Sequence, residues 1–381
     1  MSSLFAHLGV WGLALTLVLS VRSTHLDRWF RGLNRVFRIH HHIAWVSWAL
    51  LLVHGAVEAW GFGFSLMALH LTLSEPSLAT GWLALILFTL VVFLAKRRHW
   101  PFRLWRRVHL LSLPAWALGA YHLLAFSESF WSLISAWGAL TLGTLALFRS
   151  QALPRMPFWG SVHFVDQITP LNHRVVELRL KPFLHRGALP PQRRAQYYYL
   201  RFKGPEQSQV WHPFTCLSPP GEAQLTFAIK ATGRDTRFIP QMEKGLRVDV
   251  MGPFGFLAEE KTAGKELWFV AGVGVTPLLS LSRSPDFGRN PTRILHALDN
   301  ELDQICVDHW SLLQARGVIY KLWLRDQNGY VTKEAVIRFL DDFEGAQIFI
   351  AGPDLFIRHI RRILKELSVH PKQIFTEEFV R

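Results

Sequence analysis

The sequence predicts a multi-domain chain. An α-helical transmembrane bundle of about five spans comes first, then an antiparallel β-barrel, then an α/β domain on a parallel sheet. Three observations predict it. Half of the 381 residues are hydrophobic, and they crowd into the first 150 positions. Five apolar stretches there are long enough to cross a bilayer. Beyond Met156, short strand-like runs broken by Pro and Gly give way to strands alternating with helices.

The five spans are Leu4–Val21, Ile43–Trp60, Leu78–Ala95, Val108–Phe126 and Phe130–Phe148. Leu4–Val21 lacks the basic start and cleavage site of a signal peptide, so it is expected to be retained. The formal charge of +14 would suit nucleic acid, but the N-terminal basic residues sit between apolar runs, as topology signals do. The expected partners are therefore the bilayer and small anionic groups, with no nucleic acid. Arg22, Arg28, Arg31, Arg35 and Arg38 lie between spans one and two. Lys96, Arg97, Arg98, Arg103, Arg106 and Arg107 lie between three and four. Gly61–Ser77 and Ser127–Ser129 carry neither Lys nor Arg. The positive-inside rule then puts the N-terminus outside and everything after Phe148 in the cytoplasm, in a cell (inner) membrane. Cys216 and Cys306 are the only cysteines, so no disulfide framework is implied.

Ionisable residues inside a span point to function. The second span carries His40 and His54; the fourth carries His109 and His122. At ~100° per residue, a spacing of 14 returns to within about 40° of the same face, which selects His40 over His41 and His42. The spacing of 13 from His109 to His122 lands roughly 140° away on a straight helix. Pro114 lies between them, and a mid-span proline kinks a helix; the kink is expected to bring the two imidazoles into line. His40 and His109 share the inner depth, His54 and His122 the outer, about 20 Å apart. Two stacked bis-histidine haems would fit, since imidazole is an axial haem ligand. A transporter with histidines lining a wet path is the other reading of the same residues.

His40-x-x-x-Ala44-Trp45, then His54, then His109 and His122 in a later span, resembles the ferric reductase and NADPH oxidase superfamily. The resemblance implies an inner and an outer b-type haem on these four histidines. Oxidases of that family carry a histidine one turn beyond the outer ligand; here that position is Glu58. A carboxylate is a hard ligand that suits metal cations. Glu58 is therefore either a catalytic candidate at an iron-reducing site or a marker of the outer interface.

In the soluble half, Val162–Val165, Arg174–Leu180, Tyr197–Phe202 and Leu225–Ile229 read as barrel strands. Leu267–Val270, Arg293–Leu298, Tyr320–Leu324 and Gln347–Ala351 read as parallel strands. Helices are expected from Pro277, around Gln304–Arg316 and Lys333–Leu340, and at Leu355–Leu367. His212-Pro213-Phe214-Thr215-x-x-Ser218 is similar to the flavin motif of the ferredoxin-NADP reductase superfamily. The resemblance implies that Pro213 and Phe214 back the isoalloxazine ring and that Thr215, also a catalytic candidate, bonds its polar edge. Ile229-Lys230-x-x-Gly233-x-x-Thr236 implies a basic contact to the FAD pyrophosphate, and Gly252-Pro253-Phe254-Gly255 a turn leading to the nucleotide domain.

Gly272-Val273-Gly274-Val275-Thr276-Pro277 follows a strand and opens a helix. Gly272 and Gly274 let the backbone approach a pyrophosphate. Gly352 and Pro353 stand where the family often has Cys-Gly-Pro, without the cysteine. Asp299 follows the second parallel strand, where an acidic side chain suits a ribose hydroxyl and repels a 2′-phosphate; NADH is expected over NADPH. Phe379 is the candidate for a terminal ring stacked on the flavin. The expected domains are 1–150 (transmembrane, two haems), 156–258 (FAD barrel) and 264–381 (NAD(P) domain). Together they imply a ferric reductase that sends electrons from NAD(P)H through FAD and two haem b groups to a ferric chelate. The alternatives are oxygen as acceptor, giving superoxide, and a redox subunit that feeds a partner protein.

Overall fold

The computed structural model describes residues 2–62, 74–95, 100, 102–152, 161–183, 192–203, 210–233, 235–260 and 264–377. They fall into two units, Met1–Pro157 and Phe158–Arg381.

Among the described residues the first unit is helical: α1 Ser2–Leu19, α2 Thr24–Phe30, α3 Leu33–Phe62, α4 Pro76–Ala95, α5 Phe102–His109, α6 Ser112–Ala125 and α7 Phe130–Leu147. Five segments are long and apolar enough to cross a membrane, with α5 and α6 counted as one. The helix α1 packs on α3 and α7, and α4 packs on α6.

One boundary differs from the expectation. The helix of the second span, α3, starts at Leu33, ten residues before Ile43, because the Asp27 carboxylate accepts the Leu33 N–H at 2.9 Å and caps it. At 1.5 Å per residue its 30 residues reach about 45 Å, against roughly 30 Å of hydrocarbon. The helix is thus longer than one apolar layer, and Arg35 and Arg38 lie at its N-terminal end.

The fourth span is broken. Between α5 and α6, Leu110 and Leu111 form a turn. Pro114 has no N–H to give the Leu110 carbonyl, and that carbonyl instead accepts from Leu113 N–H at 3.0 Å. The tighter turn changes the angular register between the two ends of the span.

The second unit begins with a six-stranded antiparallel sheet: β1 Ser161–Pro170, β2 Val175–Pro182, β3 Tyr197–Phe202, β4 His212–Thr215, β5 Leu225–Lys230 and β6 Arg247–Phe254, in order β4-β3-β6-β1-β2-β5. A bridge from Cys216 to Phe227 joins its two edges and closes a barrel. Leu178, Leu180, Tyr198, Phe227, Val248 and Val250 fill it.

Five parallel strands follow: β7 Glu266–Ala271, β8 Thr292–Leu298, β9 Ile319–Leu324, β10 Gln347–Ala351 and β11 Ile374–Glu377, in order β11-β10-β7-β8-β9. The helices between them are α8 Thr276–Ser282, α9 Val307–Ala315, α10 Arg325–Asn328, α11 Lys333–Leu340 and α12 Asp354–Glu366. Every residue of β7 is buried, as a central parallel strand with helices on both faces requires. Trp268 and Val270 face one layer; Leu267 and Phe269 face the other. The first layer also holds Val175, Leu217 and Ala228 of the barrel, so barrel and sheet share a core. The strand order reverses between β7 and β10, and open α/β sheets bind ligands at such a switch point.

Candidate redox sites

In the membrane unit the four histidines form two pairs. His40 and His109 have ring centroids 6.3 Å apart, His54 and His122 6.2 Å. An imidazole nitrogen ligates a metal at about 2.0–2.1 Å and lies roughly 1 Å from its ring centre, so two rings flanking one iron have centroids about 6 Å apart. Both pairs have that separation.

The outer nitrogens are held. His40 Nδ1 lies 2.9 Å from the Thr16 carbonyl and His122 Nδ1 2.8 Å from the Ser77 carbonyl. A carbonyl only accepts, so each Nδ1 carries the proton and each Nε2 keeps its lone pair for a metal. His54 Nδ1 meets the Ser2 hydroxyl at 2.7 Å. His109 has no such bond to Nδ1 among the described residues; instead it stacks on Trp105 at 4.8 Å and 10°. Gly81 makes room for the outer pair, since a Cβ there would lie 2.5 Å from His122 Nδ1. Glu58 is half-buried, one turn beyond His54 on α3. Among the described residues no three His, Cys, Asp or Glu side chains cluster as a separate metal site.

In the barrel, His212, Pro213, Phe214 and Thr215 form the edge strand β4 against β3. A proline is tolerated there because an edge strand has an unused N–H side. The Thr215 hydroxyl is buried with no hydrogen-bond partner among the described residues. A buried polar atom of this kind is rare and marks a position that a bound polar group could satisfy. His212 Nε2 is 3.9 Å from the Asp235 carboxylate.

Ser218 and Thr236 are committed within the protein. The Ser218 hydroxyl donates to Gln224 O and accepts from Thr226 N–H, both at 2.8 Å. Thr236 accepts from Gly233 N–H and donates to Lys230 O, both at 3.1 Å, closing the loop after Lys230. Both shape the site through the backbone. The sequence reading missed Gln192. It accepts from the Tyr198 hydroxyl at 3.0 Å and donates to the Ser218 and Pro219 carbonyls at 3.1 and 2.8 Å.

Gly272 has φ +54°, and a Cβ there would meet nothing within 4 Å. The backbone is open above it. Gly274 is the reverse: a Cβ would lie 2.4 Å from Gly352 Cα. The turns after β7 and β10 thus touch backbone to backbone, and this contact needs both glycines. Thr276 and Pro277 start α8, and Pro353 caps α12. Asp299 pairs with Arg325 at 3.0 Å, a partner 26 residues on that its local sequence does not reveal. Phe379 lies outside the described residues. Two positions before it, Glu377 is buried with Oε2 unbonded among the described residues, and burial pushes its carboxyl up to about 8.

Comparison with known proteins defines the class in two parts. Residues 5–120 match the model of the ferric reductase like transmembrane component. The flavohemoprotein of Rhodopirellula baltica is 27% identical over 237 residues, 54% of this chain and 57% of that protein. A superoxide-generating NADPH oxidase heavy chain of Dictyostelium discoideum is 27% identical over 233 residues, 55% of this chain and 42% of that protein. The chain thus spans about half the length of these curated relatives. The flavohem-like FAD/NAD binding domain of nitric oxide dioxygenase from Vibrio cholerae shares the fold, with TM-score 0.50 and 17% identity over 58% of this chain and 98% of that one. This is a multi-pass membrane protein whose second unit shares the fold of that FAD/NAD binding domain. The chain thus joins a segment similar to the ferric reductase like transmembrane component to the fold of a FAD/NAD binding domain.

Proposed function

We propose that the chain is a transmembrane flavocytochrome that passes electrons from cytoplasmic NADH, through FAD and two b-type haems, to a ferric chelate on the outer side of a cell membrane. The observation that carries the reading is the repeated histidine pair, with the same separation at both ends of the same two spans. FAD accepts a hydride and releases single electrons, which haem iron can take. The chain's own residues supply binding and orientation. His40 with His109, and His54 with His122, would each flank one iron. Thr16 and Ser77 fix the tautomers that leave Nε2 free. Thr215 offers an unsatisfied hydroxyl to the flavin, and Lys230 a cation to its pyrophosphate. Gly272 leaves open space for the dinucleotide. Asp299, at the end of β8, suits the ribose hydroxyl of NADH.

The arginines around α2, the start of α3 and α5 support a cytoplasmic side for those ends by the positive-inside rule, which would put Glu58 toward the outer side. We assign domains 1–150, 156–258 and 264–381 to the haem, FAD and nucleotide functions. Oxygen is the second acceptor, favoured by the likeness to a relative named for superoxide generation. The test is anaerobic NADH addition to purified protein while flavin and haem bands are followed. Both are expected to reduce, and then to reoxidise on addition of ferric chelate. Haem that stays oxidised under NADH would refute the reading; superoxide accounting for all NADH consumed, with no chelate reduced, would move the acceptor to oxygen.

A further inference from the structure

Beneath the Gly272–Val275 turn lies a chain of buried and half-buried polar side chains that the proposed electron path does not use. His296 sits on β8, fully buried. Its Nε2 is 3.1 Å from the Gly272 carbonyl, which can only accept, so Nε2 carries the ring proton. The bare Nδ1 then accepts from the Tyr320 hydroxyl at 2.8 Å. That hydroxyl accepts in turn from the Gln304 amide at 3.2 Å. The Tyr320 ring is stacked on Trp310 at 4.9 Å and 6°, and Trp310 donates to Ile305 O at 2.7 Å. Each polar atom of His296 has one partner, so its tautomer is fixed.

We propose that His296 is a positioning residue for the dinucleotide: it pins the Gly272 peptide from below and so presets the backbone that the pyrophosphate approaches from above. The inference rests on the reading of Gly272–Pro277 as the nucleotide turn. Three observations support it. Gly272 holds a left-handed conformation, φ +54°, with open space on its other side. Burial holds the imidazole down to about pKa 4, so the ring stays neutral and its two nitrogens keep distinct roles. The network also ends on the barrel. Beside Gln304, the Asp303 carbonyl accepts from Asn172 Nδ2 at 3.0 Å, and its carboxylate faces His173 and Arg174 at 3.6 and 3.8 Å. The Arg174 carbonyl accepts from Ala231 N–H, next to Lys230, at 2.7 Å. The turn that would hold the dinucleotide is thus tied to the strand end that would hold the flavin phosphates.

The test uses His296→Leu and His296→Gln in the purified full chain. Steady-state kinetics with NADH and ferricyanide give KM and kcat; calorimetry gives Kd for NAD+. Leucine removes both bonds, whereas glutamine keeps a donor for Gly272. Leucine is expected to raise KM and Kd together by about tenfold, with kcat at saturation within about threefold and FAD content retained. Glutamine should recover most of the loss. Unchanged KM and Kd in the leucine variant would overturn the proposal. So would loss of FAD and of cooperative melting in both variants, which would make the role purely structural. A parental chain that binds neither NADH nor NAD+ would sink the nucleotide reading itself.

Discussion

Glu377 shows what one side chain can dictate. Its carboxyl is buried without a partner for Oε2 among the described residues, and its pKa rises from the ordinary 4.5 to about 8. A carboxyl raised in this way binds its proton more tightly in the folded state. Stability is therefore highest below the unfolded value, falls as pH climbs from about 4.5 to about 8, and stays low above that. The loss amounts to roughly 3–5 kcal/mol. Glu377→Gln should remove the slope across that window, measured as denaturant midpoints from pH 5 to 9; a slope as steep as the parent's would count against this account. The proposed haem ligands give a sharper test. Alanine at His54 or at His40 should halve haem content while leaving FAD content unchanged; full haem content in either variant would break the pairing. These histidines are legible in the sequence because an imidazole in an apolar run is conspicuous. Glu377, Gln192 and Arg325 are not, since their roles depend on what packs against them from distant parts of the chain.

At the scale of elements, the break before Pro114 and the contact of two turns matter most. Pro114→Ala would return a hydrogen bond to the Leu110 carbonyl and straighten the span. His109 and His122 would then move back toward roughly 140° apart, and haem content should fall by at least half, read by the pyridine haemochrome. Full content would show that the break is dispensable. Gly274→Ala puts a methyl 2.4 Å from Gly352 Cα. It should destabilise the second unit by about 1–3 kcal/mol and weaken NAD+ binding, both checked on one preparation by melting and calorimetry. The bounds of Tyr197–Phe202, Lys333–Leu340 and Gln347–Ala351 agree between sequence and structure, because each is an apolar or periodic run with clear stops. Three strands were not legible. Edge strand β4 contains a proline, which argues against a strand in sequence. Strand β6 runs through Gly252-Pro253, which reads as a turn, and β11 has only four residues. The early start of α3 was hidden because its cap is a side chain six residues back.

The whole molecule divides where its composition changes. The apolar first unit ends at Pro157, close to the shift at Met156 that the strand pattern marks. In the second unit, barrel and sheet share a core, and a hydrogen bond from Asn172 to Asp303 adjoins the hydrogen bonds that run from Gln304 through Tyr320 and His296 to Gly272. The proposed flavin and dinucleotide sites are thus parts of one folded body, a relation that local motifs do not express. In the proposed function, electrons from this body reach two haems held by histidine pairs. The measurement that tests it most directly is the haem-to-FAD ratio of the purified chain, taken with low-temperature EPR of the oxidised form. Two haems per flavin are expected, both low-spin with two imidazole ligands. A ratio near zero, or high-spin iron with a single imidazole, would contradict it.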